Sequence, residues 1–162
     1  MRRQHLAVSL SVFTILSLLM FSANAQIANK KALTLEAAKK IAAAGEAEAA
    51  KNKWTVVIVI VDDGANLVYL QKMDNAQIGS IDIAIQKAKT AISFKRSTKS
   101  YEERVLKENK THLLGIHNIL PVEGGLPLVV DGQFIGAVGV SGGSSEQDGV
   151  VVKAAADALI AQ

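Results

Sequence analysis

Cysteine is absent from the 162-residue chain, and histidine, proline and aromatic residues are scarce. Without cysteine the chain has no disulfide, no thiol nucleophile and no cysteine metal site. Its three histidines, His5, His112 and His117, do not make a zinc site, which needs three or four oriented ligands. The fold must therefore be held by an apolar core or by contacts in an oligomer.

The chain also lacks a large excess of basic over acidic residues. The chain carries 18 Lys and Arg against 15 Asp and Glu, and losing Arg2 and Arg3 with a leader would leave 16 against 15. Because nucleic-acid binding needs a basic face, we expect no nucleic-acid partner.

The first 25 residues have the three parts of a secretory signal peptide. They are the basic start MRRQH, the apolar run LAVSLSVFTILSLLMFS, and an A-x-A site at Ala23 and Ala25. We expect cleavage after Ala25, a periplasmic or secreted location, and no stable membrane insertion of the mature chain. An uncleaved membrane anchor is the alternative, since about 17 apolar residues is the lower limit for a span. Residues 26–162 have the length of a single domain.

Apolar periodicity and turn residues predict an α+β fold with a central antiparallel sheet flanked by helices. We expect helices at 35–52 after a Thr34 cap, at 81–95 after a Ser80 cap, at 100–109 with a Ser100–Glu103 capping box, and at 145–161. We expect strands at 54–62, 67–73, 126–130 and 133–140. Asp131-Gly132 predicts a type I′ hairpin, and the turn residues at 62–66 predict the other hairpin.

The loop 139–148, GVSGGSSEQD, has glycines that could indicate an anion site. It lacks the lysine of a Walker loop and the spacing of a Rossmann loop. Ser141 lies in a G-x-S-x-G pattern, but an α/β-hydrolase needs a longer chain and a parallel sheet. Ser144 and Gln147 have capping-box spacing, with Ser145 and Asp148 as a competing register. The loop is therefore interpreted as a strand exit and helix cap, with a ligand role left open.

Few side chains are candidates for cofactor chemistry. His112 and His117 are each able to ligate haem iron, and a surface or core histidine is the alternative. Tyr69, Met73 and Tyr101 are also chemically able to ligate iron. Lys87 lies two positions from the stripe residue Ile85, so we expect it on a solvated helix flank.

Three stretches resemble the GlcG/HbpS family, also called the haem-degrading domain or DUF336, which is similar to the C-terminal domain of PduO-type proteins. They are VDDGANLVYLQKMDNA (61–76), SIDIAIQKAKTA (80–91) and PVEGGLPLVVDGQFIGAVGVSGGSSEQD (121–148). The resemblance implies a profilin-like fold and a homo-oligomer, from dimer to octamer. It also implies haem as cofactor, with no metal beyond the haem iron. The ligand pocket it implies is built from Lys87, Glu123, Gly124, Gly125, Pro127, Ser141, Gly142, Gly143 and Asp148.

The function implied by this resemblance is haem binding by a secreted protein. Slow oxidative haem degradation would be the enzymatic activity, if the chain has one. The alternative is a non-haem protein, sensor or enzyme, that takes a small organic acid in the same pocket. The absence of histidine between Gln26 and Thr111 favours this alternative.

Overall fold

The computed structural model describes residues 28–159. The expected signal peptide, residues 1–25, lies outside the described residues, as do residues 160–162 at the end of the last expected helix. Within the described range, no helix combines the length and the hydropathy needed to cross a membrane.

Residues 28–159 contain four strands and four α-helices. The helices are α1 (Leu35–Lys51), α2 (Ser80–Phe94), α3 (Thr98–Leu106) and α4 (Ser145–Asp157), with a short 3₁₀ helix at Thr111–Gly115. The strands are β1 (Val57–Asp62), β2 (Leu67–Lys72), β3 (Gly125–Val130) and β4 (Gln133–Ser141). They form one sheet in the order β2-β1-β4-β3, and every neighbouring pair is antiparallel. The predicted α+β class is confirmed.

The sheet is covered by helices on both faces. Alternate residues of β1 enter different apolar clusters, because side chains along a strand point to opposite faces. Ile58 and Ile60 pack with α1 and α4, whereas Val57 and Val59 pack with α2. This explains the continuous β-branched run that predicted a strand buried on both faces.

Both predicted hairpins are present. Asp131 and Gly132 have φ values of 49° and 74°, the two positive angles of a type I′ turn. In the β1–β2 turn, the Asp62 carboxylate accepts hydrogen bonds from the backbone N–H groups of Gly64 and Asn66. Partial burial disfavours ionisation of Asp62, but these bonds hold its pKa below the usual value.

Two of the expected helix starts are wrong. The N-cap of α2 is Gly79, and Ser80 is already the first helical residue. Helix α3 begins at Thr98 behind the cap Ser97, whose side chain accepts from the Lys99 N–H. Since Ser97 already caps α3, the Ser100–Glu103 pair falls inside the helix.

The observed strand and helix ends also differ from those expected. Strand β1 starts at Val57 and not at Trp54, and helix α4 ends at Asp157 and not at Ala161. The 3₁₀ helix at Thr111–Gly115 was not predicted at all.

The Ser144–Gln147 capping box is confirmed. Ser144 Oγ accepts from the Gln147 N–H at 3.3 Å, and Gln147 Oε1 accepts from the Ser144 N–H at 2.9 Å. Ser144→Ala should lower the free energy of unfolding by about 1 kcal/mol, measured by urea denaturation. Ser144→Thr keeps an acceptor oxygen and should lose less. An unchanged free energy of unfolding in Ser144→Ala would show that the cap contributes nothing.

Candidate functional site

A buried ion pair lies where α2, β4 and α4 meet. The side chain of Lys87 on α2 is 1% exposed, and that of Asp148 on α4 is 3% exposed. Lys87 Nζ donates to Asp148 Oδ2 at 2.7 Å and to the Val140 carbonyl at 3.0 Å. Because a buried ammonium is costly without such partners, the three elements are held together by this pair.

The expectation of Lys87 on a solvated flank is wrong, and the sequence did contain a signal for its burial. Ala84 and Ala91 lie three residues before and four residues after Lys87, which places all three on one helix face. Both alanines are fully buried against the sheet. Small residues on this face leave room for a long side chain between the helix and the sheet.

Gly124 and Gly125 pack directly against the pair. Gly124 has φ of 123°, and a Cβ there would lie 2.6 Å from the Val140 carbonyl oxygen and 2.9 Å from Lys87 Nζ. A Cβ on Gly125 would lie 2.5 Å from the Lys87 carbonyl oxygen. Only glycine allows the loop before β3 to approach this closely.

A small cavity opens beside the pair. Its volume is about 210 Å³, and its wall includes Lys87, Ser141, Gly142, Gly143 and Asp148 from the expected pocket. The Gly143 N–H donates to Asp148 Oδ1 at 3.0 Å, so this loop is tied to the ion pair. Lys87 and Asp148 offset each other's charge, so a small organic acid in this cavity would depend on hydrogen-bond donors such as the Ser141 hydroxyl rather than on a free cation.

Glu123 and Pro127 lie apart from that cavity. Pro127 is in β3 opposite Ala137. Glu123 lines a neighbouring cleft of about 320 Å³ and pairs with Lys99 at 3.0 Å. The hydrogen bond to Glu123 raises the pKa of Lys99.

Glu102 was not predicted as a site residue. It lines the same cleft, accepts from Ser145 Oγ at 2.7 Å and accepts from the Glu123 N–H at 3.2 Å. No local pattern marks it, because its partners lie 21 and 43 residues away in the chain.

The two histidines lie away from the Lys87 cavity. Both are exposed, and His112 belongs to the 3₁₀ helix. His117 lines a separate cleft of about 370 Å³ between α2 and the segment 114–120. The Thr90 hydroxyl fixes this segment, since it donates to the Asn118 carbonyl at 3.0 Å and accepts from the Leu120 N–H at 3.1 Å.

The other side chains considered as iron ligands serve the core. Tyr69 and Met73 are partly buried against the cluster under α1 and α4. Tyr101 is 4% exposed and packs edge-to-face on Phe94, with ring centroids 5.8 Å apart. The residues the structure describes contain no group of three or more His, Asp and Glu side chains able to hold a metal ion.

Comparison with known proteins assigns the chain to a family. The family model described as "Haem degrading protein HbpS-like" matches residues 33–157. The chain belongs to the HbpS-like family. The resemblance predicted from the three sequence stretches is therefore confirmed.

Relatives of this HbpS-like chain include proteins with solved structures. GlcG of Escherichia coli (strain K12) is 45% identical over 112 residues, which are 69% of this chain and 83% of GlcG. Klebsiella pneumoniae protein ORFY, of family DUF336, is 37% identical with a TM-score of 0.74, covering 85% of this chain and 99% of ORFY. A PduOC–haem complex is 30% identical with a TM-score of 0.70, covering 79% of this chain and 95% of PduOC.

The segments that resemble the family are those that meet at the ion pair. Lys87 comes from the stretch 80–91, and Gly124, Val140 and Asp148 come from the stretch 121–148. In this HbpS-like chain, these motifs therefore hold the helices on the sheet, whatever ligand the fold carries.

Proposed function

We propose that this chain is an exported haem-binding protein of the HbpS-like family. The observation that carries the proposal is the family match over residues 33–157. The haem complex of PduOC, a 30% identical relative with the same fold, supports it. Export follows from the signal-peptide pattern in residues 1–25, and its test is the N-terminal sequence of the exported protein, which should begin at Gln26.

The described residues include side chains that would hold a haem. An imidazole is a common axial ligand of haem iron, and the His117 side chain is exposed at the wall of a cleft. When bound, haem supplies the redox and oxygen chemistry, while the chain supplies a ligand, an apolar wall and a cation for the propionates.

Haem binding is tested by adding haemin to residues 26–162 and following the Soret band. We expect a saturable shift that reaches its end point at one haem per chain. A titration that overlays that of a non-binding control protein would contradict the proposal.

Oxidative degradation of the bound haem is a separate part of the proposal. It is supported by the description of the family as haem-degrading. The haem-loaded protein is treated with hydrogen peroxide, and we expect the Soret band to fade with release of iron to a chelator, faster than for free haemin. An equal or slower rate would leave binding as the function and reject degradation.

We also propose that the chain forms a homo-oligomer. Large apolar side chains are exposed, among them Ile78 at 83% and Leu106 at 75%, and they would be covered by a second copy. Light scattering during gel filtration tests this, and a monomer mass would reject it.

The alternative ligand is a small organic acid in the Lys87 cavity, with the chain acting as a non-haem binding protein or enzyme. The 210 Å³ volume and the Ser141, Gly142 and Gly143 lining favour it. In a thermal-shift panel, at least one small organic acid should then raise the unfolding temperature, and haemin should not. A response to haemin alone would reject this alternative.

A further inference from the structure

The cleft between α2 and the segment 114–120 has the features of a porphyrin site. Resting on the proposed function, we propose that haem binds in this cleft, with the His117 imidazole on the iron and the Lys89 ammonium on a propionate. His112 has no part in this site, because it does not line the cleft.

The size of the cleft allows one edge of this occupant to enter. Its volume is about 370 Å³, within the range of about 300–1,000 Å³ that is usual for sites of drug-sized ligands. The Lys87 cavity, at about 210 Å³, is below that range. A macrocycle would enter the His117 cleft by one edge and leave the other edge at the surface.

The walls offer apolar contact and one cation. Leu114 and Ile116 are 62% and 42% exposed, which is unusual for large apolar side chains that lie this close together. A bound porphyrin face would remove them from water. Lys89 lies exposed on α2 at the same cleft and complements the carboxylates of the ligand.

Three other clefts have comparable volume and lack this combination. One of about 310 Å³ beside α1 has Lys31 and apolar side chains in its lining but no usual iron ligand. The cleft of about 320 Å³ around Glu123 is lined by four glutamates and two lysines, and both lysines are already paired with glutamates, so its net negative charge would disfavour propionates. The cleft of about 430 Å³ around Phe134 has Lys30 and Lys95, but no histidine, methionine, tyrosine or cysteine in its lining. It could hold a propionate but offers no usual iron ligand.

The position of His117 is fixed by the chain around it. Thr90, which is 1% exposed, is bonded to the backbone on the C-terminal side of His117, at Asn118 and Leu120. His117 itself lies in an exposed turn, and these bonds from α2 fix the backbone next to it, which limits the positions open to the imidazole.

The test compares haemin titrations of the mature chain and four variants: His117→Ala, His117→Tyr, His112→Ala as the matched control, and Lys89→Gln. We expect His117→Ala to lose the Soret shift of the wild type and to regain it with added imidazole. His117→Tyr should give the charge-transfer bands of a tyrosinate-ligated iron. Lys89→Gln should weaken binding about two- to fivefold, as for one exposed ion pair, and His112→Ala should match the wild type.

The outcomes separate the site from the function. A wild-type Soret shift that persists unchanged in both His117 variants would overturn this site and leave haem binding intact. Loss of the shift in His112→Ala alone would also overturn it. No shift in the wild-type protein would reject the proposed function, and the site with it.

Discussion

Lys87→Met should lower the free energy of unfolding by roughly 3–5 kcal/mol, because it leaves a buried carboxylate without its cation. Asp148 is 2% exposed, so little water reaches the carboxylate to replace the ammonium at 2.7 Å. The Gly143 N–H still donates to Asp148 Oδ1, but it does not offset the lost charge. The measurement is the urea midpoint and slope of the variant against the wild type.

Two variants control this result. Lys89→Met removes a cation from an exposed position on the same helix, and its effect should stay within about 0.5 kcal/mol. The double variant Lys87→Met, Asp148→Asn should be more stable than Lys87→Met alone, since asparagine carries no charge and still accepts from Gly143. Equal free energies of unfolding for the Lys87→Met and Lys89→Met variants would show that the ion pair does not stabilise the fold.

Gly139→Ala should destabilise the fold by about 3 kcal/mol, the upper part of the usual range for overpacking. A Cβ at Gly139 in β4 would lie 2.1 Å from the Ala84 carbonyl oxygen and 2.6 Å from the Ala88 backbone nitrogen. Both atoms belong to the backbone of α2, so no side-chain rotation relieves the contact and the helix has to move off the sheet.

Gly115→Ala is the matched control for that substitution. A Cβ at Gly115 would have no neighbour within 4 Å, and we expect a change within about 0.5 kcal/mol. Thermal unfolding followed by circular dichroism measures both variants. If Gly139→Ala unfolds at the same temperature as Gly115→Ala, then the backbone of α2 does not pack as closely on β4 as the structure shows.

The fold could be predicted from the sequence because its signals are local. Asp131-Gly132 specifies a turn with two positive φ angles, and Ser144 with Gln147 specifies the start of α4. Since hairpins pair neighbouring strands, two of them already determine most of an antiparallel sheet. The errors at Ser80 and Ser100 arose where another residue nearby took the cap, which spacing alone does not decide.

The candidate site was less predictable because its contacts join distant parts of the chain. The partner of Lys87 is 61 residues away, and the bond from Ser145 to Glu102 spans 43 residues. The alanines around Lys87 indicate a buried face, but no local pattern indicates which acid meets the lysine there. The 3₁₀ helix before His117 was missed for the same reason. The segment that follows it is held by a tertiary hydrogen bond from Thr90, which no local pattern indicates.

The position of iron in crystals grown with haemin tests the central claim most directly. Anomalous diffraction at the iron absorption edge locates the metal without assuming a site. We expect one iron per chain at bonding distance from the His117 imidazole, with the porphyrin against Leu114 and Ile116. An iron bound elsewhere, such as beside the Lys87–Asp148 cavity, or no iron in crystals of haemin-saturated protein, would contradict it.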